Sequence, residues 1–109
     1  MALENKKCVP CEGGTKPLLK ETALKMMEKI EGWELIGDNE LKILKHFEFK
    51  DFKQAMEFVN KVAEIAEEQG HHPDIVVSYR KVTLSLVTHA ISGLSENDFI
   101  MAAKINALA

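Results

Sequence analysis

Two strand-like runs in the second half of the chain are separated by only two residues. Residues 75–79 and 82–89 are rich in β-branched and alternating apolar side chains, and Arg80-Lys81 lies between them. A parallel crossover needs a dozen or more residues, so two strands this close in sequence must pair antiparallel as a hairpin. The fold must therefore contain an antiparallel sheet.

A similar pair of runs lies in the first half of the chain. Residues 33–37 form a short apolar run, Asp38-Asn39 suits a tight turn, and residues 41–49 mostly alternate apolar with charged side chains. Alternation with a period of two is typical of a strand that has one buried and one solvated face. These runs predict a second hairpin.

Helical spacing of apolar residues recurs in three segments. The first covers about residues 18–30 and stops at Gly32. The second begins at the capping pair Asp51 and Gln54 and ends at Gly70. Its predicted apolar stripe consists of Phe52, Ala55, Met56, Val59, Val62, Ala63 and Ala66.

The third helix is predicted to follow a second capping pair, Ser95 and Asp98, and to end near Leu108. The element order is then helix-strand-strand-helix-strand-strand-helix. Three amphipathic helices cover one face of a sheet efficiently, so we predict an α+β fold in two layers, with a four-stranded antiparallel sheet and three helices packed on one face. The free face or edge of such a sheet favours an oligomer.

Length and composition indicate one domain and narrow the classes of partner. The 109 residues suit a single core. We expect residues 1–17, which are polar and contain Gly13-Gly14, to form a flexible arm, and residues 18–109 to form the domain. A net charge of −3 argues against nucleic acid. Because no apolar run approaches the ~18 residues that span a bilayer and no signal core is present, we expect a cytoplasmic protein without membrane contact.

Both cysteines lie close together in the N-terminal arm. Cys8 and Cys11 would enclose almost nothing as a disulfide, and a zinc ribbon needs a second pair. No role is assigned to them.

Three of the four histidines, His71, His72 and His89, fall within twenty residues. Pro73 restricts His72 to an extended backbone, and neighbouring side chains on an extended chain point to opposite sides. If Arg80-Lys81 is a two-residue loop, the hairpin register places His89 opposite His72, within ~4.5–5.5 Å between Cα atoms. A three-residue loop would favour His71 instead.

Such a cluster supports more than one chemistry. Histidine gives and takes protons near neutral pH, which suits acid/base catalysis. Three histidines can also hold a catalytic zinc ion, although the opposed directions of His71 and His72 weigh against it. A third interpretation treats all three as polar loop residues.

A spacing pattern around the cluster resembles that of the pterin-4a-carbinolamine dehydratases. The pattern consists of Glu67, His71-His72-Pro73, Tyr79, His89 and Asp98. Gly32-Trp33, residues 47–52 and Gly93-Leu94-Ser95 also resemble the family, so the similarity covers about residues 18–108.

The resemblance implies an enzyme that removes water from 4a-hydroxytetrahydrobiopterin and gives quinonoid dihydrobiopterin, recycling the cofactor of aromatic amino-acid hydroxylases without a metal or redox cofactor. It implies that His71, His72 and His89 are the acid/base and substrate-contacting set. Glu67 would orient His71 or contact the pterin, and Pro73 and Thr88 would shape the pocket. Asp98 matches the pattern too, but its position three residues after Ser95 favours a cap.

The resemblance also implies a homodimer or homotetramer. The alternative function is a protein-interaction module, because animal members of the family also act as dimerisation cofactors of a transcription regulator.

Overall fold

A four-stranded antiparallel sheet with three helices on one face makes up the domain, as the sequence predicts. The computed structural model describes residues 2–9 and 16–109. The helices are α1 (Lys20–Met27), α2 (Phe52–Gln69) and α3 (Glu96–Leu108), and the strands are β1 (Glu34–Ile36), β2 (Lys42–Glu48), β3 (Asp74–Ser78) and β4 (Lys81–Leu86). Each hairpin contributes one edge strand, and β2 pairs with β4 at the centre, in the order β1-β2-β4-β3. Within the described segments, no helix combines the length and hydropathy that crossing a bilayer requires.

The core lies between the sheet and the helices, with α3 at its centre. Ile43 of β2 and the alternate residues Val82, Leu84 and Leu86 of β4 are fully buried. Helix α3 is enclosed over most of its length, and its buried residues are Asn97, Asp98, Phe99, Ile100, Met101, Ala102, Ala103 and Ile105. Each large apolar side chain buried in this way contributes about 1.5–3 kcal/mol to the hydrophobic stabilisation.

Both predicted helix starts and the predicted end of α2 are confirmed. The Asp51 carboxylate accepts a hydrogen bond from the Gln54 amide at 2.8 Å, and Ser95 and Asp98 form a reciprocal capping box at the start of α3. Gly70 adopts the left-handed conformation, with φ of 66°, and ends α2. Gly70 and the Ser95–Asp98 capping box define the two helix ends that approach the histidine cluster.

The buried face of α2 differs from the predicted stripe. Phe58 is buried and its ring contacts those of Phe47 and Phe49, with centroids 4.7 and 5.0 Å away. Phe52, which was predicted to be in the stripe, is 51% exposed because it lies in the first turn, where the chain has just entered the helix. Ala63 is also exposed. The helix is therefore rotated about its axis toward Phe58.

Two half-buried polar side chains, Lys45 and Asn106, form a small network beside the buried Trp33. Lys45, on the helix-covered face of β2, donates to the Glu31 carbonyl at 3.1 Å and to Asn106 Oδ1 at 2.9 Å. The Trp33 indole donates to the same Asn106 oxygen at 3.0 Å. Burial lowers the pKa of the Lys45 ammonium below its ordinary 10.5, while the charge of Glu31 opposes that change.

The register of the second hairpin is shifted from the predicted one. Ser78 pairs with Lys81, so the two loop residues are Tyr79 and Arg80 rather than Arg80 and Lys81. Tyr79 takes up the turn with a positive φ of 55°, a conformation that sequence patterns assign to Gly or Asn. The prediction that pairing places His89 opposite His72 is therefore wrong.

Strand β4 also ends earlier than predicted, at Leu86. Thr88 forms an isolated bridge with Gly93, and His89–Ile91 is a single 3-10 turn inside that loop. His89 is thus presented by a closed loop and not by a strand.

The first residues of the chain pack against the domain. Leu3–Asn5 forms a 3-10 turn beside α3, and Leu3 is buried in the core cluster. The division into a flexible arm (1–17) and a domain (18–109) stays a prediction, and Cys11 lies outside the described residues.

Candidate active site

A cavity of about 500 Å³ lies where the end of α2, the 88–93 loop and the start of α3 meet. His71, His72, Thr88 and His89 all line it. The three histidines are therefore brought together in space, as predicted, although by the loop and not by the strand register. The size is that of a small-molecule site.

His71 is held by a buried carboxylate. Its Nε2 lies 2.6 Å from Asp98 Oδ1, and the two side chains are 12% and 0% exposed. Gly70, in its left-handed conformation, turns the chain out of α2 so that the next residue faces the start of α3. Both partners thus come from the confirmed helix ends.

Asp98 serves the helix cap and His71 at the same time. Its Oδ2 accepts from the Ser95 amide at 2.9 Å and from the Thr88 hydroxyl at 2.8 Å, while its Oδ1 faces His71. Because Thr88 gives its only hydroxyl proton to Asp98, the 2.8 Å contact between Thr88 and Ser95 requires Ser95 to donate. Thr88, predicted to shape the pocket, therefore fixes the carboxylate behind His71.

This arrangement decides which ring nitrogen of His71 a substrate can use. A carboxylate can only accept hydrogen bonds, so Nε2 of His71 carries a proton toward Asp98. Nδ1 is left available, and within the described chain no second side-chain hydrogen bond of this ring is present. His71 can then accept a proton at Nδ1 when neutral, or donate one from it when cationic.

His72 forms a separate, exposed pair with Glu67. Its Nε2 lies 2.7 Å from Glu67 Oε2, with the side chains 60% and 79% exposed. Glu67 therefore contacts His72 and not His71, and the other role that the resemblance implied for it, contact with the pterin, stays a prediction. A contact this exposed contributes about 0–1 kcal/mol to stability, so it orients the His72 ring more than it stiffens the fold.

The other predicted residues occupy different settings. His89 is exposed, and across residues 2–9 and 16–109 its ring makes no hydrogen bond or ion pair, which leaves both nitrogens accessible. Pro73 is buried and Glu67 reaches the site through His72; neither lines the cavity in the described structure. Their assignment to substrate binding stays a prediction.

Part of the cavity wall was not foreseen from the sequence. Cys8 and Val9 of the N-terminal segment, with Gln69 and Asn97, line the cavity beside the histidines. No periodicity or motif in a polar, glycine-containing segment indicates where it folds back. Asp98 was predicted only as a helix cap, and its contact with His71 was missed, although its position in the spacing pattern is a signal that could have indicated it.

The described side chains do not form a metal-binding site. Among residues 2–9 and 16–109, no group of three His, Cys, Asp or Glu side chains is placed to share one ion. The expectation of a metal-free site stays a prediction.

Comparisons with known proteins agree on one family. The model of the pterin 4 alpha carbinolamine dehydratase family matches residues 16–108. A protein of Nitrosospira multiformis, provisionally named pterin-4-alpha-carbinolamine dehydratase, is 49% identical over 106 residues, covering 97% of this chain and 91% of that protein.

Two solved structures share the fold. The transcriptional coactivator/pterin dehydratase of Brucella melitensis has a TM-score of 0.81 and 34% identity, over 86% of this chain and 99% of its own. A pterin dehydratase-like protein described as a RuBisCO assembly factor in the alpha-carboxysome has a TM-score of 0.63 and 28% identity, over 72% and 90%. With the family model spanning nearly the whole domain, this chain belongs to the pterin 4 alpha carbinolamine dehydratase family.

Proposed function

We propose that the protein is a 4a-hydroxytetrahydrobiopterin dehydratase that works by histidine acid/base catalysis. The observation that carries the proposal is the contact between His71 and the buried Asp98 on the wall of a cavity that His72 and His89 also line. Family membership supports dehydratase chemistry, and the geometry supplies groups that could perform it.

The reaction needs one proton delivered and one removed. The hydroxyl on carbon 4a leaves as water once it is protonated, and the C–O bond electrons depart with it. Loss of the proton on N5 then lets a double bond form between C4a and N5, which gives the quinonoid dihydropterin. No electrons are exchanged with another molecule, so the step needs no redox partner.

Histidines in unlike environments suit these two transfers. His71 is fixed in one orientation and tautomer by Asp98, whereas His89 has both ring nitrogens accessible. His72 lies beside the carboxylate of Glu67. General acid/base catalysis of this kind accelerates a reaction roughly 10²–10⁴-fold. We assign the proton transfers to this set without dividing acid from base among its members.

An interaction module would not need this arrangement. Burying the carboxylate of Asp98 against one histidine is costly unless every oxygen is satisfied, and here three hydrogen bonds satisfy it. A buried, fully hydrogen-bonded carboxylate that orients a histidine on the wall of a cavity favours the enzyme over the alternative. The oligomeric state, the link to an aromatic amino-acid hydroxylase and the cytoplasmic location stay predictions.

The test follows loss of water from freshly generated 4a-hydroxytetrahydrobiopterin by ultraviolet absorbance. We expect the protein to exceed the spontaneous rate, with no loss of activity in chelator, and we expect His71→Ala and His89→Ala each to lower kcat roughly 10²–10⁴-fold. His46→Ala is the matched control, because His46 is exposed on the open face of the sheet, where it contacts Thr83. If the unaltered protein does not accelerate dehydration above the spontaneous rate, the proposal is refuted.

A further inference from the structure

The N-terminal segment 2–9 is anchored along α3, from Lys104 to the first turn. Leu3 is 7% exposed and packs in the core, and the Lys104 ammonium donates to the Glu4 carbonyl at 2.8 Å. Lys6 and Glu96 add an exposed ion pair at 3.4 Å. The segment therefore runs from the middle of α3 toward its first turn, which borders the cavity.

A buried asparagine holds the end of this segment. Asn97, 4% exposed, pairs its side-chain amide with the Val9 backbone: the Val9 amide donates to Oδ1 at 2.9 Å, and Nδ2 donates to the Val9 carbonyl at 2.5 Å. These two hydrogen bonds, to the amide and the carbonyl of one residue, fix the position and the direction of the backbone at Val9. The Cys8 amide donates in addition to Gln69 Oε1 at 2.9 Å.

The residues that hold the segment neighbour the residues that hold His71. Asn97 precedes Asp98, and Gln69 precedes Gly70, the residue that turns the chain toward His71. The segment is thus attached to the same two helix ends that present the catalytic pair. Its placement and the geometry of the histidines are set by one rigid corner of the fold.

Cys8 and Val9 line the cavity, and 64% of the Val9 surface is exposed. A flat heteroaromatic ring bound in the cavity would cover this apolar side chain. We propose that segment 2–9 is one wall of the pterin site and that Asn97 is the positioning residue that holds Val9 and Cys8 against the bound substrate. This inference rests on the proposed function, and it assigns substrate contact to residues outside the 16–108 span of the family model.

The first experiment uses the partly exposed Cys8 thiol as a reporter in the full-length protein. Alkylation by N-ethylmaleimide is timed with and without the stable analogue 7,8-dihydrobiopterin, and peptide fragmentation separates the label on Cys8 from that on Cys11. If the bound pterin covers Cys8, a concentration ten times the dissociation constant should slow alkylation about tenfold.

The second experiment removes the anchor. In Asn97→Ala, loss of two hydrogen bonds should loosen the segment, so that KM rises roughly fivefold to thirtyfold with kcat nearly unchanged, and the pterin no longer protects Cys8. A purely structural role would lower the active fraction, and hence the apparent kcat, while leaving KM in place. Asn60→Ala, an exposed asparagine on α2, is the matched control. Val9→Gly removes an exposed side chain outside the core, and it should also raise KM, roughly threefold to tenfold.

Calorimetric binding of 7,8-dihydrobiopterin separates the two ways of failing. If the pterin binds normally but does not protect Cys8, the proposal that segment 2–9 is a wall of the site is wrong. The same conclusion follows if KM is unchanged in both Asn97→Ala and Val9→Gly. Neither result contradicts the proposed dehydratase function. Absence of both binding and turnover in the unaltered protein overturns the proposed function and this inference with it.

Discussion

Replacing Asp98 by asparagine isolates the carboxylate behind His71 without changing its shape. Asp98 accepts three hydrogen bonds, two at Oδ2 and one at Oδ1. The asparagine oxygen can still accept from Ser95 and Thr88, which turns the amide NH₂ toward His71. Nε2 of His71 must then accept, so the ring proton moves to Nδ1 and neutral His71 can no longer act as a base toward the substrate.

The expected magnitudes differ for activity and for stability. A wrong histidine tautomer removes the proton transfer itself, and the same change behind the histidine of serine-protease triads lowers kcat about 10⁴-fold, so we expect kcat to fall roughly 10²–10⁴-fold. Hydrogen bonds to a charged group are worth about 1.5–3 kcal/mol, against about 1 kcal/mol between neutral groups, so the free energy of unfolding should fall by roughly 2–4 kcal/mol. A typical domain has a free energy of unfolding of about 5–15 kcal/mol, so the Asp98→Asn protein should stay folded.

The absorbance assay for dehydration gives kcat, and urea unfolding gives the stability of the same preparation. Ser95→Ala is the control, since it removes the cap hydroxyl, costs about 1 kcal/mol and leaves the Asp98 carboxylate facing His71. It should lose stability and keep most of its kcat. A folded Asp98→Asn protein with the kcat of the unaltered enzyme would refute the assignment of His71 and Asp98 as a working pair.

Three further outcomes follow from the geometry. Glu67→Gln should lower kcat by less than about tenfold, measured by the same assay, because the pair with His72 is exposed; a loss equal to that of Asp98→Asn would show that the exposed pair matters as much. Phe58→Ala should lower the free energy of unfolding by about 3–5 kcal/mol in urea melts, and a change under 1 kcal/mol would contradict its place in the core. Since the pKa of Lys45 is lowered in the folded state, the unfolded chain binds more protons at alkaline pH below 10.5, so the free energy of unfolding should rise relative to that of Lys45→Met as the pH increases toward 10.5; parallel curves would contradict this.

Local chemistry made the helix ends and the strand pairing partners predictable. Residue type and spacing predict helix caps at Asp51, Gly70 and Ser95, and the structure has a cap at each of these positions. Two close strand pairs leave an antiparallel sheet as the sole option, so the fold class followed. The clustering of the histidines was predictable for the same reason, since the hairpin returns the chain to the end of α2.

Details that depend on tertiary packing were not accessible. Tyr79 adopts a left-handed turn conformation that no propensity scale assigns to tyrosine, and the register of the second hairpin therefore differs from the predicted one. Phe58 is buried in place of Phe52 because its ring packs against that of Phe47 in β2. The path of residues 2–9 depends on the buried Asn97. For Phe58 and for residues 2–9, the deciding partner is distant in sequence.

Helix α3 has a consequence for the motions of the site. Because it is enclosed on nearly all sides and its first turn carries both Asn97 and Asp98, these groups cannot leave their places by a local opening. Their fluctuations belong to the same cooperative unit as the core, so the amide hydrogens of α3 should exchange with solvent only when the whole domain unfolds. The alignment of His71 with Asp98 and global folding are then a single equilibrium, while His72 and His89, which are exposed, can change orientation without unfolding of the domain.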